Sequence, residues 1–141
     1  MMCILSVYST QLSSDLTLRI DLDSAVPAYR QIVDGLRILL VSGKLAAGSD
    51  LPSVRRLAVD LGVHFNTVAE AYRMLNDEGW LDLRHGRGAT VIKRDAPSAA
   101  PEHVEEFRAR LRALIAEALS KGVSTTKLKT ELLKLIDEVT T

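Results

Sequence analysis

The side chains best suited to chemistry lie in two short segments between Ser53 and Trp80. They are basic, polar or aromatic, and they comprise Arg55, Arg56, His64, Phe65, Asn66, Thr67 and Arg73. Arginine can pair with the two acceptors of guanine, and asparagine can pair in the same bidentate way with adenine. A threonine hydroxyl can donate to a phosphate, and an aromatic ring can contact a thymine methyl group. These side chains could contact duplex nucleic acid, but only if the surrounding elements present them together to a groove.

The sequence carries little that would support catalysis or metal binding. The single cysteine, Cys3, cannot form a disulfide within the chain and fits a reducing cytosol. The three histidines, His64, His85 and His103, fall in different segments, so no cluster has the spacing of metal or catalytic ligands. We therefore expect no enzyme activity, no cofactor and no metal.

Composition narrows the class of protein further. Hydrophobic residues make up 47% of the 141 residues and aromatic residues only 4%, which predicts a core filled by aliphatic side chains. No apolar run approaches the ~20 residues needed to span a bilayer. The N-terminus, MMCILSVYST, lacks the basic region of a signal peptide. The sequence predicts a cytoplasmic protein without a membrane partner.

The charge is balanced overall but not locally. The chain has 18 basic and 18 acidic residues, which give a formal net charge of 0. From residue 84 to residue 94, however, no acid accompanies the basic residues Arg84, Arg87, Lys93 and Arg94. Such a patch would gain affinity for DNA by releasing counterions, even in a neutral protein.

Helical periodicity places the first set of side chains on two short helices. Apolar residues recur at spacings of three and four after Pro27 and stop at Gly43, which predicts a leading helix. A second helix is expected from the cap Ser53 to Gly62, and a third from near Asn66. Their apolar faces are Val54, Leu57, Ala58 and Leu61, and then Val68, Ala71, Tyr72 and Leu75. Two helices joined by a tight turn are typical of a helix-turn-helix, whose second helix enters the major groove.

A hairpin and a helical tail follow. Residues 80–83 and 89–92 have the pattern of two strands joined by a turn that contains Gly86 and Gly88. The tail then repeats apolar residues at the spacing of a coiled-coil seam: Val104, Phe107, Leu111, Leu114, Ala118, Leu128, Leu132 and Leu135. Two short helices cannot bury such stripes alone. They must pack on each other, on the first domain or on another copy of the chain.

These elements define four segments within a mainly α fold that carries a small β-hairpin. Residues 1–15 are expected to form a flexible lead, although a strand from Ile4 to Tyr8 is an alternative. Residues 16–95 would form a winged helix-turn-helix, in which residues 16–21 suit a short strand or an extended arm. Residues 96–101 would be a linker, and residues 102–141 a two-helix dimerisation tail.

The run from Pro27 to Ile92, PAYRQIVDGLRILLVSGKLAAGSDLPSVRRLAVDLGVHFNTVAEAYRMLNDEGWLDLRHGRGATVI, resembles the GntR family of bacterial transcription regulators. The likeness rests on several pieces that agree in order: the SGKL-to-LPS loop, the SVRRLA and NTVAEAY helices, the EGW boundary and the HGRG turn. The short helical tail is similar to that of the YtrA-type subgroup, in which the tail serves dimerisation. The effector-binding or aminotransferase-like domains of other members need more residues than remain here.

The resemblance implies roles for individual residues. Arg55 stands where members often present an arginine to the major groove. The segment His64–Thr67 occupies the start of the recognition helix, and His85–Arg87 matches the wing tip, which typically reaches the minor groove. Many members carry arginine where this chain has Phe65, and some also carry it at Ala69, so the base contacts of those arginines are not transferred.

Each of these residues also has a purely structural interpretation. Arg55 and Arg56 could be solvated charges, Asn66 could serve only as a helix cap, and Phe65 could be a hydrophobic plug. The segment His85–Arg87 could be a plain hairpin turn. The agreement of several DNA-contact residue types in one pattern favours the functional interpretation.

The function that the sequence favours is sequence-specific DNA binding by a homodimeric transcriptional regulator. The resemblance implies a repressor acting on a pseudo-palindromic operator in double-stranded DNA, with half-site centres ~10 bp apart or a multiple of that. Two alternatives remain open: a winged helix that serves as a protein–protein interaction module, and a regulator with a small-molecule site between its domains. No effector is specified, and the tail leaves little room for a pocket of about 300 Å³.

Overall fold

The computed structural model describes residues 7–13, 15–83, 88–95 and 97–140. The chain divides into two compact units, Met1–Arg94 and Asp95–Thr141. Across the described residues, the first unit contains five short strands and three helices, and the second contains two helices. The architecture is mainly α with a small β component, as the sequence predicts.

An N-terminal hairpin opens the first unit. Strand β1 (Val7–Ser13) pairs antiparallel with β2 (Leu16–Asp21), with Thr10 opposite Leu18. The segment predicted as a flexible lead is therefore a paired strand over Val7–Ser13. The reason is that this hairpin has a buried face, which includes Thr10 and the β2 residues Leu18 and Ile20. Residues 1–6, with most of the alternative strand Ile4–Tyr8, lie outside the described residues.

Helix α1 (Ala28–Val41) packs against both the N-terminal hairpin and the second helix of the helix-turn-helix. It begins directly after Pro27, whose fixed φ suits a helix start. Its buried face consists of Ile32, Val33, Leu36 and Leu40 at spacings of one, three and four. This face packs against β2 and against helix α3 (Phe65–Asp77).

Helices α2 (Val54–Leu61) and α3 (Phe65–Asp77) form the predicted helix-turn-helix. The side chain of Ser53 caps α2 by accepting a hydrogen bond from the Arg56 amide at 3.2 Å. Gly62 ends α2 in the left-handed region at φ +64°. The Val63 amide then donates to the Ala58 carbonyl, which closes the turn and sends the chain into α3.

A three-stranded sheet completes the first unit. Its order is β3 (Asp50–Leu51), β5 (Ala89–Val91) and β4 (Leu81–Leu83), all antiparallel neighbours. The β4–β5 hairpin follows α3 at the place expected for a wing. Strand β3 falls at the end of the stretch that the sequence predicts as a loop, because Asp50 and Leu51 pair with Thr90 and Ala89.

The second unit consists of α4 (Pro101–Ser120) and α5 (Thr125–Thr140). Pro101 is the first residue of α4, so the predicted linker over residues 96–101 ends one residue earlier. The side chain of Ser124 caps α5 by accepting from the Lys127 amide at 3.2 Å. Among residues 97–140, neither helix contains a buried side chain.

Candidate nucleic-acid interface

Helix α3 has two sharply different faces. Its inner face buries Val68, Ala71, Tyr72 and Leu75 completely. The opposite face exposes Asn66, Glu70 and Arg73, which recur at spacings of four and three. Phe65, in the first turn, is 52% exposed, so it is not the hydrophobic plug that was one interpretation. Thr67 is half-buried. The helix is therefore held by its apolar face and presents a polar one.

His64 shapes the start of this face. It is the N-cap of α3, and its Nδ1 accepts a hydrogen bond from the Asn66 amide at 3.1 Å. The Thr67 amide donates to the His64 carbonyl at 3.0 Å. Asn66 is therefore not the cap, and its exposed carboxamide makes no hydrogen bond with the described part of the chain. Because Nδ1 accepts, the proton of the neutral His64 ring lies on Nε2, which is a donor on the surface.

The backbone amides in the first turn of α3 offer little to a bound anion. Free amides at the start of a helix can hold a phosphate. In α3 the amides of Asn66 and Thr67 already donate to His64. The amides that were predicted to bind a phosphate are therefore largely occupied. Contacts to a ligand at this turn must come mainly from side chains.

The two arginines of α2 differ in their surroundings. Arg55 and Arg56 are both exposed. The Nε atom of Arg56 lies 3.7 Å from a carboxylate oxygen of Asp60, one helical turn further on. That carboxylate also accepts a 2.7 Å hydrogen bond from the hydroxyl of Thr10 on β1. Arg56 is therefore partly engaged on its own helix, whereas no such ion pair involves Arg55 among the described residues.

The N-terminal hairpin packs against α2 and the turn that follows it, a contact that was not predicted from the sequence. The Tyr8 ring lies against the turn, where a β-carbon added to Gly62 would be 3.3 Å from a ring carbon. Thr10 is 3% exposed and donates to Asp60. The signal that could have found this strand is the alternation that places Tyr8, Thr10 and Leu12 on one face.

The wing is anchored at its base. Gly88 has φ +80°, and a β-carbon there would lie 3.0 Å from the Leu51 carbonyl oxygen and 3.3 Å from Cα of Ser53. The wing therefore begins against the backbone that caps α2. The tip residues predicted to contact DNA, His85, Gly86 and Arg87, lie outside the described residues, as does Arg84.

A polar cluster holds the far end of α3. The Arg37 guanidinium of α1 makes two hydrogen bonds to the Glu78 carboxylate, at 3.2 and 2.5 Å. The bond to Glu78 raises the pKa of Arg37, with a further contribution from the Asp34 carboxylate at 3.2 Å. The carbonyl of Glu78 accepts from Nε of Arg94 at 2.7 Å. Arg94 therefore supports α3 and is not a free charge of the basic patch predicted from the sequence.

The residues predicted as the tail seam separate into two groups. Val104, Phe107, Leu114 and Leu135 are exposed, whereas Leu111, Ala118, Leu128 and Leu132 are half-buried. Leu119, Leu133 and Ile136 are also exposed and were missed by the sequence analysis. The heptad pattern could not find them because Leu133 and Ile136 lie beside the seam positions.

The described residues offer no site for other chemistry. No group of three or more histidine, cysteine or acidic side chains among them could hold a metal ion. Within the same residues, no helix is both long and apolar enough to span a bilayer.

A polar helix held on a buried core, with a capped helix before it and a wing after it, defines a winged helix-turn-helix protein. The family model described as bacterial regulatory proteins, gntR family, matches residues 28–91. The transcriptional repressor YtrA of Bacillus subtilis is 32% identical over 111 residues, which cover 79% of this chain and 85% of that protein. The chain belongs to the GntR family of transcriptional regulators, which carry a DNA-binding domain.

Two further comparisons also find proteins that act in transcription. The transcriptional regulator Rv1152 of Mycobacterium tuberculosis is 40% identical over 102 residues, covering 65% of this chain and 80% of that protein. A solved structure described as a transcriptional antiterminator from Listeria monocytogenes EGD-e superimposes with a TM-score of 0.71 at 26% identity. That match covers 86% of this chain and 92% of the other. These relatives are described as regulators rather than as enzymes.

Proposed function

We propose that the protein is a sequence-specific transcriptional repressor that binds a pseudo-palindromic operator as a homodimer. The observation that carries the proposal is the uncovered face of α3. Asn66 and Arg73 are exposed on it while its opposite face is completely buried. A helix held in this way can enter the major groove without any loss of core contacts.

The side chains of this face, together with those of α2 and of the start of α3, fit distinct parts of a duplex. The Asn66 carboxamide can pair with adenine, and the Arg55 guanidinium with guanine, each pair giving roughly 1–3 kcal/mol of discrimination. The exposed Phe65 ring fits a thymine methyl group. Arg56, His64, Thr67 and Arg73 suit phosphates, which fix the register of the protein on the duplex.

The DNA-binding part of the proposal is tested by selecting bound duplexes from a random pool. We expect the wild type to enrich paired half-sites related by two-fold symmetry. Asn66→Ala should lose preference at one base pair of each half-site. Asn76→Ala is the matched control, since it removes the same side chain near the other end of α3 and should leave the selected motif unchanged. Failure of the wild type to enrich any motif would contradict sequence-specific binding and favour an interaction module.

The homodimer part of the proposal is supported by the surface of the tail. Phe107 and Leu114 are 63% and 61% exposed, and they lie two helical turns apart on α4. With Leu111 they line an open surface groove, flanked by the charged residues Glu106 and Arg110. An apolar stripe with charged flanks is the pattern of a helix that pairs with another helix. A second copy of the chain supplies that partner by symmetry.

Two substitutions on α4 separate dimerisation from folding. Leu114→Glu places a charge in the stripe and should convert the dimer to a monomer in sedimentation velocity. Ala116→Glu is the control, because residue 116 lies about 180° around the helix from Phe107 at 100° per residue. We expect Ala116→Glu to remain dimeric. A Leu114→Glu variant that stays dimeric would show that this stripe is not the interface.

Repression is proposed to be steric. A dimer that covers two half-sites within a promoter would block access of the polymerase. A reporter gene placed behind the selected operator should therefore fall in expression when the protein is present and recover with Leu114→Glu. Higher expression in the presence of the wild type would show activation instead.

A further inference from the structure

Arg94 is the last residue of the first unit, and its side chain is turned back onto that unit. Its Nε donates to the Glu78 carbonyl at 2.7 Å, and its guanidinium carbon lies 4.6 Å from the centre of the Trp80 ring. The side chain is half-buried in this position. The contact to a carbonyl at the C-terminus of α3 is favourable for a cation, because the helix dipole is negative there. The contact to the ring adds a cation–π interaction.

Among the described residues, these contacts are the last hydrogen bond and ring contact by which the chain is attached to the first unit. The Ile92 amide donates to the Trp80 carbonyl at 3.0 Å, which ends the main-chain pairing of the wing hairpin. Two residues later, the Arg94 side chain makes the next attachment. Helix α4 then begins at Pro101. Six residues, 95–100, therefore separate the attached end of the first unit from the tail helices.

We propose that Arg94 is a positioning residue that sets the spacing between the two half-sites of the operator. The inference rests on the proposed function, because it requires a dimer held by the tail and two DNA-reading units joined to it by linkers. In such an arrangement the linker length limits how far apart the two reading units can lie. Arg94 fixes where each linker starts.

The size of the effect follows from chain geometry. Without the Arg94 attachment, the free segment would begin after Ile92 and would gain two residues. Each residue can add ~3.4 Å of reach, so each linker lengthens by at most ~7 Å. One base pair of B-DNA advances ~3.4 Å and turns ~34°. The added reach is therefore sufficient to accommodate half-sites moved by one base pair in either direction.

The test measures affinity for a series of duplexes that differ only in half-site spacing. For the wild type, we expect a change of one base pair from the selected spacing to weaken binding about tenfold. For Arg94→Ala, we expect that loss to shrink to about threefold. The readout is the shape of the spacing profile, which a uniform loss of affinity from one missing charge does not change. Lys93→Ala is the control, since it removes an exposed charge at the neighbouring position and should keep the sharp profile.

Linker length provides a second, independent arm. Inserting two alanines after Ser98 in the wild type should reproduce the broad profile. Deleting Ser98 and Ala99 from Arg94→Ala should restore the sharp one. Arg94→Met, which keeps an apolar stem for the Trp80 ring but loses the donor, should behave as Arg94→Ala does. Thermal melting of each variant confirms that the first unit is folded.

The outcomes separate the inference from the function on which it rests. An unchanged sharp profile in both Arg94→Ala and Arg94→Met would overturn the inference, and so would a broad profile in the wild type. A wild type that binds no paired half-sites would instead refute the proposed function, and the role of Arg94 would fall with it.

Discussion

The hydroxyl of Tyr72 donates a hydrogen bond to the backbone carbonyl of Pro52, with 2.7 Å between the oxygens. Tyr72 lies on the buried face of α3, and Pro52 comes just before Ser53, the cap of α2. The bond therefore ties the middle of α3 to the start of α2. The angle at which α3 is presented depends on this connection as well as on apolar packing.

Replacing Tyr72 with phenylalanine should destabilise the first unit. The ring is kept, so packing is preserved, but the Pro52 carbonyl loses its donor. A partly buried carbonyl left without a partner costs about 1–2 kcal/mol. Chemical denaturation should show this loss in the free energy of unfolding. Tyr29→Phe is the control, because the Tyr29 hydroxyl makes no hydrogen bond with the described residues, and its unfolding free energy should stay within about 0.5 kcal/mol. Equal stability of the two variants would contradict the role of the Tyr72 hydroxyl.

Stability at alkaline pH should also depend on Tyr72. Burial raises the pKa of this phenol well above its ordinary value of about 10. The unfolded chain then loses the proton first, so the stabilising contribution is complete below pH ~10 and decreases as the pH rises further, by roughly 1.4 kcal/mol per pH unit. The stability difference between the wild type and Tyr72→Phe should therefore shrink between pH 9 and pH 11. A difference that stays constant over this range would show that Tyr72 ionises freely in the folded protein.

Two glycines with similar backbone angles should respond differently to alanine. Gly43 has φ +77° with no atom within 4 Å of an added β-carbon, whereas Gly88 has φ +80° with the Leu51 carbonyl oxygen at 3.0 Å. Gly43→Ala should cost only the left-handed strain, about 1–2 kcal/mol. Gly88→Ala should cost about 1–3 kcal/mol more, because the crowding atoms belong to the backbone. Denaturation of both variants measures the difference, and equal losses would argue against close contact at the base of the wing.

The helices could be predicted from sequence because each carries its own boundary signals. Ser53 and Ser124 cap α2 and α5, and Gly62 ends α2, as expected from local chemistry. The apolar face of α3 could also be predicted, because four buried residues recur at helical spacing. These are local features, and local features are visible in a single sequence.

The parts that could not be predicted depend on contacts between distant residues. Strand β1 is mixed in character, and its burial comes from β2 and α2. The cap of α3 is His64 rather than Asn66, because the imidazole reaches the Asn66 amide. The position of the Arg94 side chain depends on Glu78 and Trp80. Both lie more than ten residues before it in the sequence, so the local pattern of charges does not reveal the contact.

The hydrogen bond from Thr10 to Asp60 should contribute to the stability of the helix-turn-helix. Thr10→Val keeps the shape of the side chain and removes the donor, so the loss should be about 1.5–3 kcal/mol, since the acceptor is a charged carboxylate. Thr17→Val on the exposed side of β2 is the control and should have little effect. Amide hydrogen exchange in α2 should also become faster in Thr10→Val. If exchange in α2 is unchanged, the hairpin does not support this helix.

The exposed guanidinium of Arg73 should contribute to DNA binding through charge alone. If it contacts a phosphate, Arg73→Ala should weaken binding to all sequences by a similar factor. It should also reduce the slope of log affinity against log salt by about 1, because one fewer counterion is released. The selected motif should remain the same, in contrast to Asn66→Ala. Arg112→Ala, which removes an exposed charge from α4, is the control and should leave both the slope and the affinity unchanged. A change of preferred base in Arg73→Ala would instead assign this side chain to a base edge, whereas an unchanged slope would place it outside the interface.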